Sequence, residues 1–268
     1  MRIDMGQSAM SGAPRENIFV AADDGGQRLG MAAVVEYVNR QILPDRPLNY
    51  YLIIEAFARA RDLLFGAAFT RAMMLRRLKP DLPARVYASC SPRDPERLLY
   101  FTEQGFHNDD AEVVTREILK DGDWGPKPPV GCRLAFTNLD TSERREGLLA
   151  RVNPYSVTRH SLDWLDKAMG NTAFASIGVL EEEEILGETI VTGYGAEGRV
   201  LMLYTAPRCR RRGVARALLA GARQYLYEEQ CRSLTARVWL RNTAAAEFFK
   251  AEGFQQTGQA VLYPGMDV

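Results

Sequence analysis

Apolar and polar positions alternate along residues 18–37, "IFVAADDGGQRLGMAAVVEY", and again along 173–194, "AFASIGVLEEEEILGETIVTGY". Each stretch reads as strand, polar turn, strand, because a two-residue period puts every second side chain on one face of a sheet. The segments "ARVYASCSPRDPERLLYFTEQGF" (84–106) and "ARVWLRNTAAAEFFKAEGF" (236–254) share an opening strand, a helix and a closing Gly-Phe. Between these blocks, laying Leu52 on Leu201 aligns "LIIEAFARARDLLFGAAF" with "LMLYTAPRCRRRGVARAL" without a gap. Matched blocks in one order predict two copies of one domain. Each copy reads as hairpin, strand, helix, strand, helix and a closing strand, "AEVVTREIL" in the first and "GQAVLYP" in the second. This order predicts an α/β fold (α+β mixed), each copy a mixed, twisted sheet flanked by helices.

Within the second copy, "RVLMLYT" (199–205) predicts a strand and "VARALLAGARQYLYEEQ" (214–230) a helix. Val214, Leu218, Ala222 and Leu226 recur at helical spacing and give that helix an apolar stripe for the sheet. The second copy also opens with a strand, "CRLAFTNL", and two helical stretches, "SERREGLLARV" and "SLDWLDKAMG", with Ser142 and Ser161 as N-caps. The first copy has no room for that opening, since its hairpin begins near Ile18. It is therefore the truncated one. The Gly- and Pro-rich "KDGDWGPKPPVG" (120–131) reads as the linker, which gives domains 1–125 and 126–268.

Charge narrows the function. The 268 residues carry 34 Lys+Arg against 34 Asp+Glu, a formal net charge of zero. A dedicated nucleic-acid binder carries a basic excess, so no nucleic-acid partner is expected. Cys90, Cys132, Cys209 and Cys231 form no CxxC pair, and only two histidines accompany them, which predicts neither a zinc site nor a disulfide framework. The N-terminal residues contain no apolar targeting core, and no apolar run is long enough for a membrane helix. The expectation is a cytoplasmic protein without a membrane partner.

The one dense knot of charge is "PRCRRRGVARALL" (207–219), with five arginines in thirteen positions. It lies between the strand and the apolar helix. At a helix N-terminus the first backbone N–H groups lack partners and the dipole is positive, an arrangement suited to a phosphate. Arg210-x-x-Gly213-x-Ala215 places charge and small residues around one anion. This segment resembles the acyl-CoA signature of the GCN5-related N-acetyltransferases, Arg/Gln-x-x-Gly-x-Gly/Ala after a strand ending in an x-Pro turn, through Thr205, Pro207, Arg210, Gly213 and Ala215. The family's later signature, an Asn opening a helix that closes on Gly-Phe, is matched by "NTAAAEFFKAEGF" at Asn242, Gly253 and Phe254. The resemblance spans the chain as a tandem pair, a layout similar to that of mycothiol synthase.

The resemblance implies an acetyl-CoA (or other acyl-CoA) co-substrate, no metal, and direct transfer to a primary amine on a small molecule or peptide, by a monomer or homodimer. It implies that strand 199–205 splays from the parallel strand "LTARVWL" (234–240) to admit the pantetheine arm beside Leu203, Tyr204 and Thr205. Arg210, Arg211, Arg212, Gly213, Val214 and Ala215 would hold the pyrophosphate, and Asn242 would lie near the pantetheine or thioester. Two departures stand out. In the first copy, Asp62 and Leu64 replace Arg211 and Gly213, which implies lost acyl-CoA binding. In the second, Phe249 stands where many members carry the tyrosine that protonates the departing thiolate. Tyr204, Glu188 and Glu197 are the candidates for the base, with Tyr263 at the mouth of the cleft. "EEEE" (181–184) reads as a solvated turn, His107 and His160 as structural, and Cys209 as an incidental thiol. The missing tyrosine keeps open an acyl-CoA-binding sensor or regulatory protein with a degraded active site, and aminoacyl transfer from charged tRNA is a third reading.

Overall fold

The computed structural model describes residues 1–5, 13–120, 124–125, 127–156 and 160–268. The expected linker is partly covered, its residues 121–123 and 126 lying outside the described ones. The chain divides into two compact units, Met1–Glu112 with Gln259–Val268, and Val113–Gly258. This differs from the expected boundary at 125/126.

The first unit's sheet runs β1 (Arg2–Met5), β2 (Ile18–Ala22), β3 (Arg28–Val38), β4 (Leu48–Ala56) and β5 (Ala84–Ala88), ending on the chain's last strand, Gly265–Asp267. Strands β4 and β5 are parallel, joined through helix α1 (Ala58–Arg77), and α2 (Pro95–Glu103) follows β5. Leu64, Ala68 and Ala72 of α1 are fully buried with Ala32, Val34, Leu52 and Ile54 of the sheet.

The second unit repeats the plan. Its elements are β6 (Ala111–Ile118), β7 (Cys132–Phe136), α3 (Ser142–Val152), α4 (Leu162–Met169), β8 (Ala173–Glu181), β9 (Glu184–Tyr194), β10 (Glu197–Thr205), α5 (Val214–Glu228), β11 (Ser233–Trp239), α6 (Thr243–Ala251) and β12 (Gln255–Leu262), of which β6 begins and β12 ends in residues assigned to the first unit. The strand order is β12-β6-β11-β10-β9-β8-β7. The stripe predicted on α5 is in the core: Val214, Leu218, Ala222 and Leu226 are each at most 1% exposed. Burying a Val or Leu side chain contributes about 1.5–3 kcal/mol, so tertiary burial rather than propensity holds this helix. The opposite face carries Leu148, Leu149, Val152 and Leu165 of α3 and α4 against Ile190, Met202 and Tyr204. Ser161 caps α4, accepting from the Trp164 amide. The cap of α3 is Thr141 rather than Ser142, its hydroxyl accepting from the Arg144 amide.

One closing strand changes sheet relative to the sequence reading, and a further strand appears at the chain's end. β6, "AEVVTREI", follows the first copy yet joins the second sheet between β12 and β11, where the Thr115 hydroxyl donates to the Ala236 carbonyl at 3.2 Å. The chain's end returns to the first unit as β13 (Gly265–Asp267), antiparallel to β5, and Leu262 packs in the first core. Apolar alternation specifies which face of a strand is buried but not which sheet it completes.

Candidate active site

The parallel pair β10/β11 is in register from Glu197↔Ser233 to Val200↔Ala236 and there stops. Beyond it β10 stays bonded to β9 as far as Thr205, so the two parallel strands part over their C-terminal halves. The parting coincides with a register shift between Val200 and Met202, a bulge that gives Leu201 no partner on β9. Bulges bend a strand and raise its local twist, which turns β10 away from β11. The part of β10 beyond the pairing holds Leu203, Tyr204 and Thr205. Thr205 Oγ1 is buried there without a hydrogen-bond partner.

The split leads into the arginine turn. Ala206 N–H donates to the Leu186 carbonyl at 2.8 Å, and a short 3-10 turn, Pro207–Cys209, follows. Cys209 is 1% exposed and anchors the turn in the core, so it is no reactive surface thiol. Arg211 has φ +65° and Gly213, the N-cap of α5, has φ +88°. Gly213 tolerates this left-handed backbone without the steric cost of a Cβ. It supplies no side-chain cap, so the first N–H groups of α5 stay open. Gly187 brings the helix onto the strands: a Cβ there would lie 2.5 Å from the Tyr204 carbonyl oxygen and 3.0 Å from Val214 Cγ1. Arg210, Arg211 and Arg212 are exposed and Ala215 is half-buried, whereas the Val214 side chain faces the core, leaving only its backbone for a ligand. The glutamate turn is not merely solvated. Glu184 pairs with Arg208, Glu183 with Arg133 at 3.6 Å and Glu181 with Arg212 at 2.8 Å, and Arg212 holds the Glu181 carboxyl below its ordinary pKa.

Tyr204 and Glu188 sit opposite each other on β10 and β9. The Tyr204 hydroxyl donates to Glu188 Oε2 at 2.7 Å, and Arg151, in the last turn of α3, donates to both Glu188 oxygens at 2.8 Å. Glu188 is 0% exposed, and Tyr155 stacks on Tyr204 at 4.4 Å between centroids. Burial raises the Tyr204 pKa well above that of an ordinary tyrosine, with the Glu188 charge adding to the effect. The Arg151 pKa is raised chiefly by its hydrogen bonds to Glu188. Tyr204 and Glu188, both candidates for the base, thus share one buried network in which the tyrosine proton and both carboxylate oxygens are engaged. Arg151 and Tyr155 were not legible as its members, Arg151 lying 37 residues from Glu188 in sequence.

Four other candidates have different surroundings. Glu197 is the first residue of β10, half-exposed and 3.8 Å from Arg199, at the strand end opposite the arginine turn. Asn242 is the N-cap of α6, its Oδ1 accepting from the Ala245 amide at 3.2 Å. The Phe249 ring is 5% exposed and packs edge-on against Phe254 at 4.9 Å in the core. Tyr263 belongs to the first unit, where it packs against Tyr87 at 5.8 Å. His107 bridges to Gly265, and His160 stacks on Trp164 at 3.8 Å. Among the described residues, no group of His, Cys, Asp or Glu side chains could hold a metal, and no helix is long and apolar enough to cross a membrane.

Residues 133–254 match the model of the acetyltransferase (GNAT) family. No curated protein matches the chain. The fold is similar to that of a GCN5-related N-acetyltransferase from Sphaerobacter thermophilus, at 15% identity and a TM-score of 0.52 over 96% of this chain and 82% of that one. A tandem GNAT protein from the clavulanic acid biosynthesis pathway is similar at 17% identity and a TM-score of 0.50, over 93% of this chain and 82% of that one. A GCN5-related N-acetyltransferase from Anabaena variabilis is similar at 13% identity and a TM-score of 0.60, over 95% of this chain and 63% of that one. These identities speak to the fold alone, which is two mixed sheets flanked by helices. It is residues 133–254, within the second unit, that are similar to the acetyltransferase (GNAT) family.

Proposed function

We propose that the protein is an acetyl-CoA-dependent N-acetyltransferase acting on a primary amine of a small molecule or peptide, with its active site in the second unit. The observation that carries this reading is the split of β10 from β11 after Val200 and Ala236, opening onto the uncapped N-terminus of α5 and its arginines. Acyl-CoA, when bound, supplies the activated thioester. The chain's part is to hold its arm and diphosphate: strand edge 203–205 for the arm, and Arg210, Arg211 and the amides from Gly213 to Ala215 for the diphosphate. Thr205 Oγ1, otherwise unsatisfied, is placed to hydrogen-bond the arm.

The Arg151–Glu188–Tyr204 network serves positioning, fixing α3 to β9 and β10 so that the acceptor side keeps its shape. Phe249 has no proton to give, and water then protonates the departing thiolate, a reasonable leaving group since thiols ionise near pH 8.5. The amine enters uncharged or loses its proton to solvent. Zero net charge supports a non-nucleic-acid acceptor. We place the protein in the cytoplasm as a monomer or homodimer.

A second reading, acyl-CoA binding without turnover, is favoured by the same two observations, the core position of Phe249 and the engaged Glu188. Release of free CoA thiol from acetyl-CoA, measured across a panel of primary amines, separates the two. Amine-dependent release supports the transferase. Saturable binding with no release for any amine supports the sensor.

A further inference from the structure

The first unit has the same split, and its own side chain occupies it. β4 and β5 are paired from Leu48↔Ala84 to Leu52↔Ala88 and then part, as β10 and β11 do after Val200 and Ala236. Across that parting, Arg97 Nη2 donates to the Ile54 carbonyl on β4 at 3.0 Å, and Arg97 Nε donates to the Ser89 carbonyl just past β5 at 3.2 Å. One guanidinium therefore ties the two diverging strands together. Its ring contact is Phe101, 5.8 Å from the guanidinium carbon. Beside it remains a cavity of about 160 Å³ lined by Ile54, Ala56, Arg61, Arg97, Tyr100 and Phe101, among others.

Helix caps fix the correspondence between the copies. Asp94 caps α2 and accepts from the Arg97 amide at 3.0 Å; Asn242 caps α6 and accepts from the Ala245 amide at 3.2 Å. Arg97 and Ala245 are thus the same position of the same helix. The bulge accounts for the intervening register: Leu52 matches Val200, but Ile54 matches Leu203, because Leu201 is the extra residue. The carbonyl that Arg97 holds in the first unit is the counterpart of the Leu203 carbonyl, on the edge where the second unit is to receive the acyl-CoA arm. Arginine's planar fork suits it to bridging two carbonyls. Alanine at 245 has no side chain that could bridge the two strands in this way.

We infer that Arg97 is a built-in occupant of the first unit's split, and that a small residue at the same helix position, Ala245, is required for the second unit's split to admit an acyl-CoA arm. The inference rests on the proposed acyl-CoA site in the second unit. Its test is calorimetric titration of the intact chain with acetyl-CoA, comparing wild type, Ala245→Arg and Arg97→Ala, with thermal melting of each. Wild type is expected to bind one equivalent. Ala245→Arg is expected to lose at least tenfold in affinity while melting near wild type. Ala245→Met carries the same expectation if the arginine variant fails to fold. Arg97→Ala is expected to keep the affinity but melt lower, since two carbonyls lose their donor. Two equivalents bound by wild type, or unchanged affinity in the variants at position 245 that fold, would overturn the inference while leaving the second unit's site standing. No binding by wild type would remove the acyl-CoA reading itself, and this inference with it.

Discussion

Gly213→Glu tests the cradle most directly, because the structure separates its two effects. At φ +88° an L-residue carries a steric cost of about 1–2 kcal/mol, yet a Cβ at Gly213 meets nothing within 4 Å. Backbone strain is therefore the whole stability cost of any side chain here, and Gly213→Ala measures it alone as a melting point a few degrees lower. The glutamate adds a negative charge at the open end of α5. At about 4 Å from a diphosphate charge it would repel by about 1 kcal/mol in water and about 4 kcal/mol at the effective dielectric of a protein surface. Each 1.4 kcal/mol is tenfold in affinity, so Gly213→Glu should bind acetyl-CoA about five- to a thousandfold more weakly than Gly213→Ala. The assay is calorimetric titration with acetyl-CoA at one ionic strength, since salt screens the effect. Equal affinities in the two variants would show that no anion sits at this turn, and the arginines would then be a solvated surface.

The remaining expectations concern α3 and the residues just before α4. Arg151→Ala would leave the Glu188 carboxylate, 0% exposed, with only the Tyr204 hydroxyl as partner. A broken buried pair costs about 3–5 kcal/mol, and the partial exposure of Arg151 puts this one at the low end. Denaturant titration should find that loss, and a stability within error of wild type would mean that the pair is not formed in solution. His160 titrates in the opposite sense to a paired histidine, because burial lowers its pKa below 6.5. A depressed folded-state value gives stability that is present above pH 6.5 and lost as pH falls through the folded-state value. Melting temperature followed downward from pH 7 should fall less in His160→Phe than in wild type, and parallel curves would refute the assignment.

Much of the fold was readable because burial imposes periods on sequence. The apolar stripe of α5 and the alternation of β8 and β9 are the direct record of facing a core. What periodicity does not carry is partner choice. Val113, Val114 and Thr115 of β6 would satisfy either sheet by pattern, hence the sheet that this strand completes was not visible. The bulge was hidden for a related reason. A gapless match of Leu52 to Leu201 holds after the bulge and is off by one before it, where Leu52 pairs as Val200 does.

The loss of the first copy's cradle also has a different physical basis from the one the substitutions suggested. Leu64 does not stand in the path of a ligand; it is fully buried on the core side of α1. That helix begins at Ala58, so residues aligned with the arginine turn of the second unit are already helical in the first. Without a turn there is no left-handed glycine and no helix end in the right place, whatever the charge at Asp62. Chain composition at the turn could suggest lost binding but not its form, since Ala58 to Leu64 favour a helix that the bulky, charged turn of the second copy interrupts only with Pro207 and Gly213. The two copies thus differ at both ends of the groove. One has a turn and an alanine where the other has a helix and an arginine.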